Sequence, residues 1–145
     1  MSRRFEAAHG VPEDSSLVTQ IDIRVRYAET DQMRVAHHAN YLIWFEAVRT
    51  EFCRERGLDY KSIEERGLFL PIIDVSCRYF APARYDDVLT VTAYVVERKR
   101  STMRVGYLIE CGETKVATGE TTSALMDGTG RLRSFPPEVA ALFDP

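Results

Sequence analysis

The stretch NYLIWFEAVRTEFCRERG, residues 40–57, carries the clearest periodic pattern in the chain. Large apolar side chains recur at the three- and four-residue spacing that puts them on one face of an α-helix: Tyr41, Trp44, Phe45, Val48 and Phe52. Leu42, Ile43 and Ala47 widen the apolar surface beyond that face, and Gly57 is suited to cap the C-terminus. A helix this apolar predicts that a sheet wraps around it.

The segments on both sides of this helix indicate β-structure. One strand is predicted before it and four after it, at residues 21–27, 73–79, 89–95, 103–109 and 115–126. Short connections at 98–101 and 112–114 suit antiparallel hairpins, and short helices are predicted at 60–66 and 139–143. The predicted fold class is α+β, an antiparallel five-stranded sheet around one long apolar helix. We expect a single domain over residues 19–145, preceded by a loose N-terminal arm over residues 1–18.

Composition narrows the classes of partner and location. The chain has 145 residues, is 45% hydrophobic and 28% charged, and carries a net charge of -3, which does not favour a nucleic-acid partner. No apolar run approaches the roughly 18 residues that cross a bilayer, and the N-terminus does not resemble a signal peptide. Cys53, Cys77 and Cys111 are widely spaced and odd in number, which indicates reduced thiols rather than disulfides or a zinc site. These features predict a cytoplasmic protein.

The connection between the first strand and the long helix holds the most unusual residues. Asp31 lies just beyond the strand, and His37 and His38 lie at the entry to the helix. Backbone N–H groups at a helix N-terminus lack intrahelical partners and can stabilise a developing oxyanion. On the residues alone, Asp31 either caps a turn, an interaction worth about 1 kcal/mol, or acts as a catalytic carboxylate. Adjacent helical histidines point about 100° apart and make a poor shared metal site.

This connection resembles the active-site segment of the hotdog-fold thioesterases of the 4-hydroxybenzoyl-CoA thioesterase class. That class includes the acyl-CoA thioesterases associated with the Tol–Pal cell-envelope system. The matching residues are Asp31, His38, Ala39, Asn40 and Tyr41, and a second block at residues 79–89 is similar to the family's strand-to-strand connection. The resemblance spans roughly residues 20–143. One departure is Arg34, where the family usually has Gly.

The resemblance implies hydrolysis of an acyl-CoA to a carboxylate and free CoA, with no metal and no cofactor apart from the coenzyme A of the substrate. It implies that Asp31 attacks the carbonyl or activates a water, and that the backbone N–H at His38 polarises the carbonyl. The implied contacts to the CoA nucleotide are Arg98, Lys99, Arg100 and Ser101. Arg34, which departs from the family pattern, is a further candidate for substrate binding that could reach a phosphate or cover the pocket, and Tyr41 and Pro71 are either acyl-pocket residues or packing residues. The family also implies a homodimer with active sites at the interface, often assembled into a homotetramer.

Other interpretations stay open. The domain could bind acyl-CoA or an acyl carrier protein without turnover, which Arg34 would favour. A hotdog dehydratase or hydratase needs a differently placed histidine and acid, which the sequence lacks. Glu46 is a rival carboxylate, because another branch of these thioesterases uses a helix glutamate, or it is a structural residue paired with Arg49 or Arg78. The basic hairpin at 98–101 is either a solvated turn or a nucleotide contact.

Overall fold

The computed structural model describes Val11, residues 17–58 and residues 60–144. One long helix, two short helices and seven strands follow in chain order: β1 (Val18–Arg24), α1 (Asn40–Glu55), α2 (Tyr60–Glu65), β2 (Leu68–Phe69), β3 (Ile72–Tyr79), β4 (Val88–Arg98), β5 (Thr102–Cys111), β6 (Thr114–Ala124), β7 (Met126–Asp127) and α3 (Pro137–Ala140). The predicted α+β class, the long helix and the five principal strands are confirmed.

The main sheet is antiparallel and has the strand order β1-β4-β5-β6-β3. β4, β5 and β6 form a meander through the two predicted hairpins. β3 does not pair with the strand that follows it, because the chain crosses over and β3 lies beside β6. β1 and β3 are therefore the two edges of the sheet, and β2 and β7 form a separate two-stranded ribbon.

The core lies between the concave face of this sheet and α1. The five apolar side chains predicted for the buried face of α1 are all buried, and alternate residues of β4 and β5 pack against them. The Phe45 ring stacks on the Tyr107 ring with centroids 4.4 Å apart. Gly119 of β6 makes this close packing possible, because a Cβ there would lie 2.5 Å from the Phe45 ring.

Some boundaries differ from the predictions for local reasons. Tyr27 was predicted as the end of the first strand, but β1 ends at Arg24 and residues 27–29 form a 3₁₀ turn, in which the Thr30 amide donates to the Tyr27 carbonyl oxygen. Leu42 and Ile43 lie on the exposed side of α1 rather than under the sheet. The β2–β7 ribbon was not predicted. Most of the predicted arm over residues 1–18 lies outside the described residues, and β1 already begins at Val18.

The edge strand β3 is unusual because its apolar side chains are exposed. Ile73, Val75 and Tyr79 keep 54%, 44% and 46% of their surface. An exposed apolar edge exposes backbone donors and acceptors that can pair with another strand.

In the part of the chain that is described, no helix is long and apolar enough to cross a membrane.

Candidate active site

Asp31 lies in a tight loop whose backbone geometry is fixed by several hydrogen bonds. Thr30 and Ala36 form an isolated antiparallel bridge across its base. Inside the bridge the Asp31 amide donates to the Val35 carbonyl oxygen at 3.0 Å. The Met33 amide donates to Asp31 Oδ1 at 2.8 Å, so one carboxylate oxygen closes the turn. Asp31 Oδ2 makes no hydrogen bond to any described residue, which leaves it available for chemistry. The capping and catalytic interpretations of Asp31 are therefore compatible.

Arg34 completes this turn in a conformation that favours glycine. Its φ is 65°, in the left-handed region, and its amide donates to the Asp31 carbonyl oxygen at 2.9 Å. A side chain with a Cβ pays about 1–2 kcal/mol in this region. Arg34 thus supplies the backbone geometry expected of the family's glycine, and its side chain is exposed.

Asp31 opens onto a cleft of about 360 Å³ that also includes His38 and Tyr41. Tyr79 and Phe80, at the end of β3, form its opposite wall. The Tyr41 and Tyr79 rings meet edge to face with centroids 4.8 Å apart, and Tyr79 Oη donates to the His38 carbonyl oxygen at 2.8 Å. Partial burial and the neighbouring Cys77 side chain raise the pKa of Tyr79 to about 12. The Tyr79 hydroxyl is therefore a stable hydrogen-bond donor at neutral pH.

One backbone amide at the entry to α1 is available to a ligand in this cleft. His37 donates its amide to the Glu29 carbonyl oxygen, Ala39 donates to His37 Nδ1, and Asn40 donates to the His37 carbonyl oxygen. The His38 amide, between them, has no partner among the described residues. The His38 side chain is exposed and packs against His37, with the two ring centroids 4.1 Å apart. The backbone of His38 is thus better suited than its side chain to stabilise an oxyanion.

The remaining predicted binding residues lie at the opposite end of the sheet. β4 begins at Val88, which pairs with Arg24 beside the Asp31 loop, and it ends at Arg98. Eleven residues of strand span about 33 Å. The Pro71 carbonyl oxygen accepts the amide of Ala124 near the hairpin at 98–101. A single chain therefore brings Asp31, His38, Tyr41 and Arg34 together and keeps Pro71 and the hairpin apart from them.

The basic residues of that hairpin have different surroundings. Arg98 is ion-paired with Asp144 at 2.6 Å, and Arg100 Nε donates to Ser134 Oγ at 2.5 Å. Lys99 is exposed, with Glu97 3.9 Å away. Lys99 and the remaining donors of Arg100 are the positive groups that a phosphate could reach most readily.

Glu46 is exposed on α1, and none of the ion pairs among the described residues involves it. The predicted pairing with Arg49 or Arg78 is therefore wrong. Arg49 is buried instead and donates to the hydroxyls of Tyr107 and Tyr60. Sequence reasoning also missed Glu29, which is buried beneath the Asp31 loop. The available signal was an acidic residue two positions before Asp31 in a strand-to-helix connection.

The described residues hold no cluster of three or more His, Cys, Asp or Glu side chains suited to a metal ion. The site built from them consists of one carboxylate, one unpaired backbone donor and an aromatic wall. Such a set can attack or hydrate a carbonyl and stabilise the resulting oxyanion.

Comparisons with known proteins identify the family to which this chain is related. The family model of the thioesterase-like superfamily matches residues 25–143. The chain is 31% identical over 124 residues to a Haemophilus influenzae protein named acyl-CoA thioesterase YbgC, covering 83% of this chain and 90% of the relative. Among solved structures, it is similar to hypothetical protein TT1821 from Thermus thermophilus, with a TM-score of 0.81, 33% identity, and coverage of 86% and 96%. It is also similar to the DHNA-CoA thioesterase from Staphylococcus aureus, with a TM-score of 0.82, 26% identity, and coverage of 87% and 88%.

The match covers the Asp31 loop, α1 and every strand of the sheet except β1, which ends one residue before the match begins. The predictions of a hotdog fold and of a thioester hydrolase are confirmed. This chain belongs to the thioesterase-like superfamily.

Proposed function

We propose that this protein is an acyl-CoA thioesterase that hydrolyses an acyl-CoA to a carboxylate and free CoA. The observation that carries the proposal is the pairing, in one cleft, of Asp31 with an uncommitted carboxylate oxygen and the unsatisfied amide of His38. The names of the Haemophilus and Staphylococcus relatives support thioester substrates of coenzyme A. Binding without turnover would require neither of these two groups.

The chemistry suits a site with few groups. Asp31 Oδ2 either attacks the thioester carbonyl, giving a mixed anhydride that water then hydrolyses, or removes a proton from the attacking water. Both routes break the carbon–sulfur bond and release CoA as a thiol. Because a thiol has a pKa of about 8.5, its departure needs little help from a general acid. The His38 amide would hold the carbonyl oxygen as negative charge develops on it.

The active unit in this proposal is a homodimer formed through β3. Two β3 edges paired in antiparallel orientation would continue the sheet and cover Ile73 and Val75. Such pairing sets the Ile72 end of one copy near the Tyr79 end of the other. The hairpin at 98–101 and Pro71 of the second copy would then approach Asp31 of the first. This arrangement would let residues from opposite ends of the sheet in one chain serve one site.

Lys99, Arg100 and Ser101 of the second copy would bind the phosphates of CoA, with Arg98 holding the hairpin against the C-terminal segment. Arg34, whose side chain is exposed on the Asp31 loop, would meet the pyrophosphate. Tyr41 and Pro71 would contact the acyl group. Assembly of two dimers into a tetramer, a cytoplasmic location and a reaction without metal or added cofactor complete the proposal.

The test is thiol release by the wild-type protein from short aliphatic, long aliphatic and aromatic acyl-CoAs and from an acylated carrier protein. We expect turnover of at least one CoA thioester and a ranking that identifies the acyl group. Tight binding of acyl-CoA with no thiol release above the uncatalysed rate would contradict the proposal and favour a binding module. Turnover of the carrier protein alone would replace the substrate class.

A further inference from the structure

Glu29 is a buried acidic side chain directly beneath the Asp31 loop. It keeps only 6% of its surface exposed. Its Oε2 accepts the indole N–H of Trp44 at 3.0 Å, and its Oε1 accepts the backbone amide of Arg26 at 2.8 Å. The Arg26 guanidinium lies 3.5 Å from the same carboxylate but is largely exposed. Each oxygen of this buried carboxylate therefore accepts a hydrogen bond, as buried polar groups usually do.

The backbone of Glu29 accepts two further hydrogen bonds. Its carbonyl oxygen accepts the amide of His37 at 2.8 Å and the side-chain amide of Asn40 at 2.8 Å. Glu29 therefore links the end of β1, through Arg26, to the first turns of α1, through Asn40 and Trp44. The Asp31 loop lies between these two attachments, since Thr30 and Ala36 bridge across its base.

These contacts determine the relative position of the two reacting groups. Asp31 lies two residues after Glu29 in the chain. His38 directly follows His37, whose amide donates to the Glu29 carbonyl oxygen. If the Glu29 side chain loses its acceptors, the buried Trp44 indole N–H and the partly buried Arg26 amide are left unpaired. The loop would relieve that loss by moving, and small displacements of reacting groups are costly for catalysis.

We propose that Glu29 is a positioning residue that holds Asp31 and the His38 amide in register across the cleft by fastening their loop to Trp44 and to the end of β1. The proposal deepens the thioesterase function proposed above and rests on it. Glu29 does not reach the cleft, whose lining includes Asp31 and His38 but not Glu29. Its effect is therefore on the geometry of the reaction and not on contact with substrate.

The kinetic test compares Glu29→Gln with the wild type. Glutamine keeps the size of the side chain but offers one acceptor where glutamate offers two, so one buried N–H loses its partner. We expect kcat to fall at least 10-fold while KM changes less than threefold, because substrate contacts remain. Trp44→Phe removes the indole donor from the other side, and the double variant should lose no more kcat than the more impaired single variant.

Two controls separate positioning from general destabilisation. Glu51→Gln makes the same chemical change on α1 at a surface ion pair with Arg54 and should leave kcat unchanged. Phe143→Leu trims a buried core side chain far along the fold and lowers the thermal midpoint without touching the loop. The positioning role is overturned if Glu29→Gln keeps kcat within twofold of the wild type. It is also overturned if Phe143→Leu, at an equal loss of thermal midpoint, loses as much kcat.

A readout without turnover keeps this proposal separate from the proposed function. The chain has one tryptophan, so its indole N–H gives a single resonance that reports the bond to Glu29. In Glu29→Gln we expect that resonance to shift and the amides of residues 30–39 to exchange with deuterium at least 10-fold faster. Phe143→Leu should change neither. If the wild type hydrolyses no thioester, the thioesterase proposal fails, and unchanged exchange in Glu29→Gln would overturn the anchoring of the loop as well.

Discussion

Replacing Tyr107 with Phe would isolate the polar cluster that lies between α1 and the sheet. The Tyr107 hydroxyl accepts a hydrogen bond from Arg49 Nη1 at 3.2 Å and lies 2.6 Å from Thr121 Oγ1. Arg49 is only 9% exposed and none of its described contacts is with a carboxylate. Burial penalises its charge, but the hydroxyls of Tyr107 and Tyr60 offset that penalty, and the pKa of Arg49 lies above its ordinary value. Arg49 thus remains a buried cation.

The size of the effect follows from the bonds that Phe removes. A net hydrogen bond to a charged group contributes about 1.5–3 kcal/mol and a neutral one about 0.5–1.5 kcal/mol. Phe keeps the ring and its stacking on Phe45, so no cavity term is added. We expect Tyr107→Phe to lower the free energy of unfolding by about 2–4 kcal/mol. Thr121→Val, which removes only the neutral bond, should cost about 1 kcal/mol.

The assay is urea-induced unfolding at one fixed protein concentration, because the proposed dimerisation would make the midpoint depend on concentration. Arg49→Met in the Tyr107→Phe background should recover at least half of the loss, since it removes the unpaired charge. A loss below about 1 kcal/mol in Tyr107→Phe, or no recovery in the double variant, would refute the idea that the hydroxyl serves a buried cation.

Three further predictions concern the site and its surroundings. Arg34→Gly should raise the free energy of unfolding measured in urea by about 0.5–1 kcal/mol, because glycine adopts the left-handed φ without strain. If Arg34 meets a phosphate, the variant should also have a higher KM for acyl-CoA. A variant less stable than the wild type would contradict the stability prediction. Hydrogen bonds from the hydroxyl and amide of Thr129 hold the pKa of Asp127 at about 2. The stabilisation of the fold by the ionised Asp127 is therefore complete above about pH 4 and is lost as the pH falls toward 2. Asp127→Asn should therefore be less stable at pH 7 and differ less from the wild type at pH 2, and a gap that does not narrow in acid unfolding would count against this. Val75→Lys should convert the proposed dimer to monomers in sedimentation velocity, whereas the same change at Val96, an exposed valine on β4, should not. Equal behaviour of the two variants would exclude the β3 interface.

The sequence predicts the fold well where one force dominates. The buried face of α1 follows from a helical repeat of large apolar residues. The hairpin predicted at 112–114 forms as a two-residue turn at 112–113, with Gly112 at a φ of 59°. The pattern is less informative where local bonds compete. Tyr27 continues the alternation of the first strand, but the Glu29 side chain accepts the Arg26 amide and turns the chain.

The site is predictable only in part, because its pieces depend on tertiary and quaternary contacts. Asp31 and His38 belong to one local segment, and their spacing resembles a family pattern. Glu29 looks like an ordinary loop acid in the sequence, since its partner Trp44 lies 15 residues away. In the proposed dimer the hairpin at 98–101 serves Asp31 of a second copy of the chain, an arrangement that no spacing within one chain can reveal.

The most direct test of the proposed function is the turnover of the preferred acyl-CoA by Asp31→Asn. Asparagine keeps the Oδ1 acceptor that closes the turn onto the Met33 amide, so the loop should retain its structure. It lacks the carboxylate that we propose attacks the carbonyl or activates water. We predict a loss in kcat of at least about 100-fold with little change in KM. A variant that keeps kcat within about tenfold of the wild type would contradict a catalytic role for Asp31.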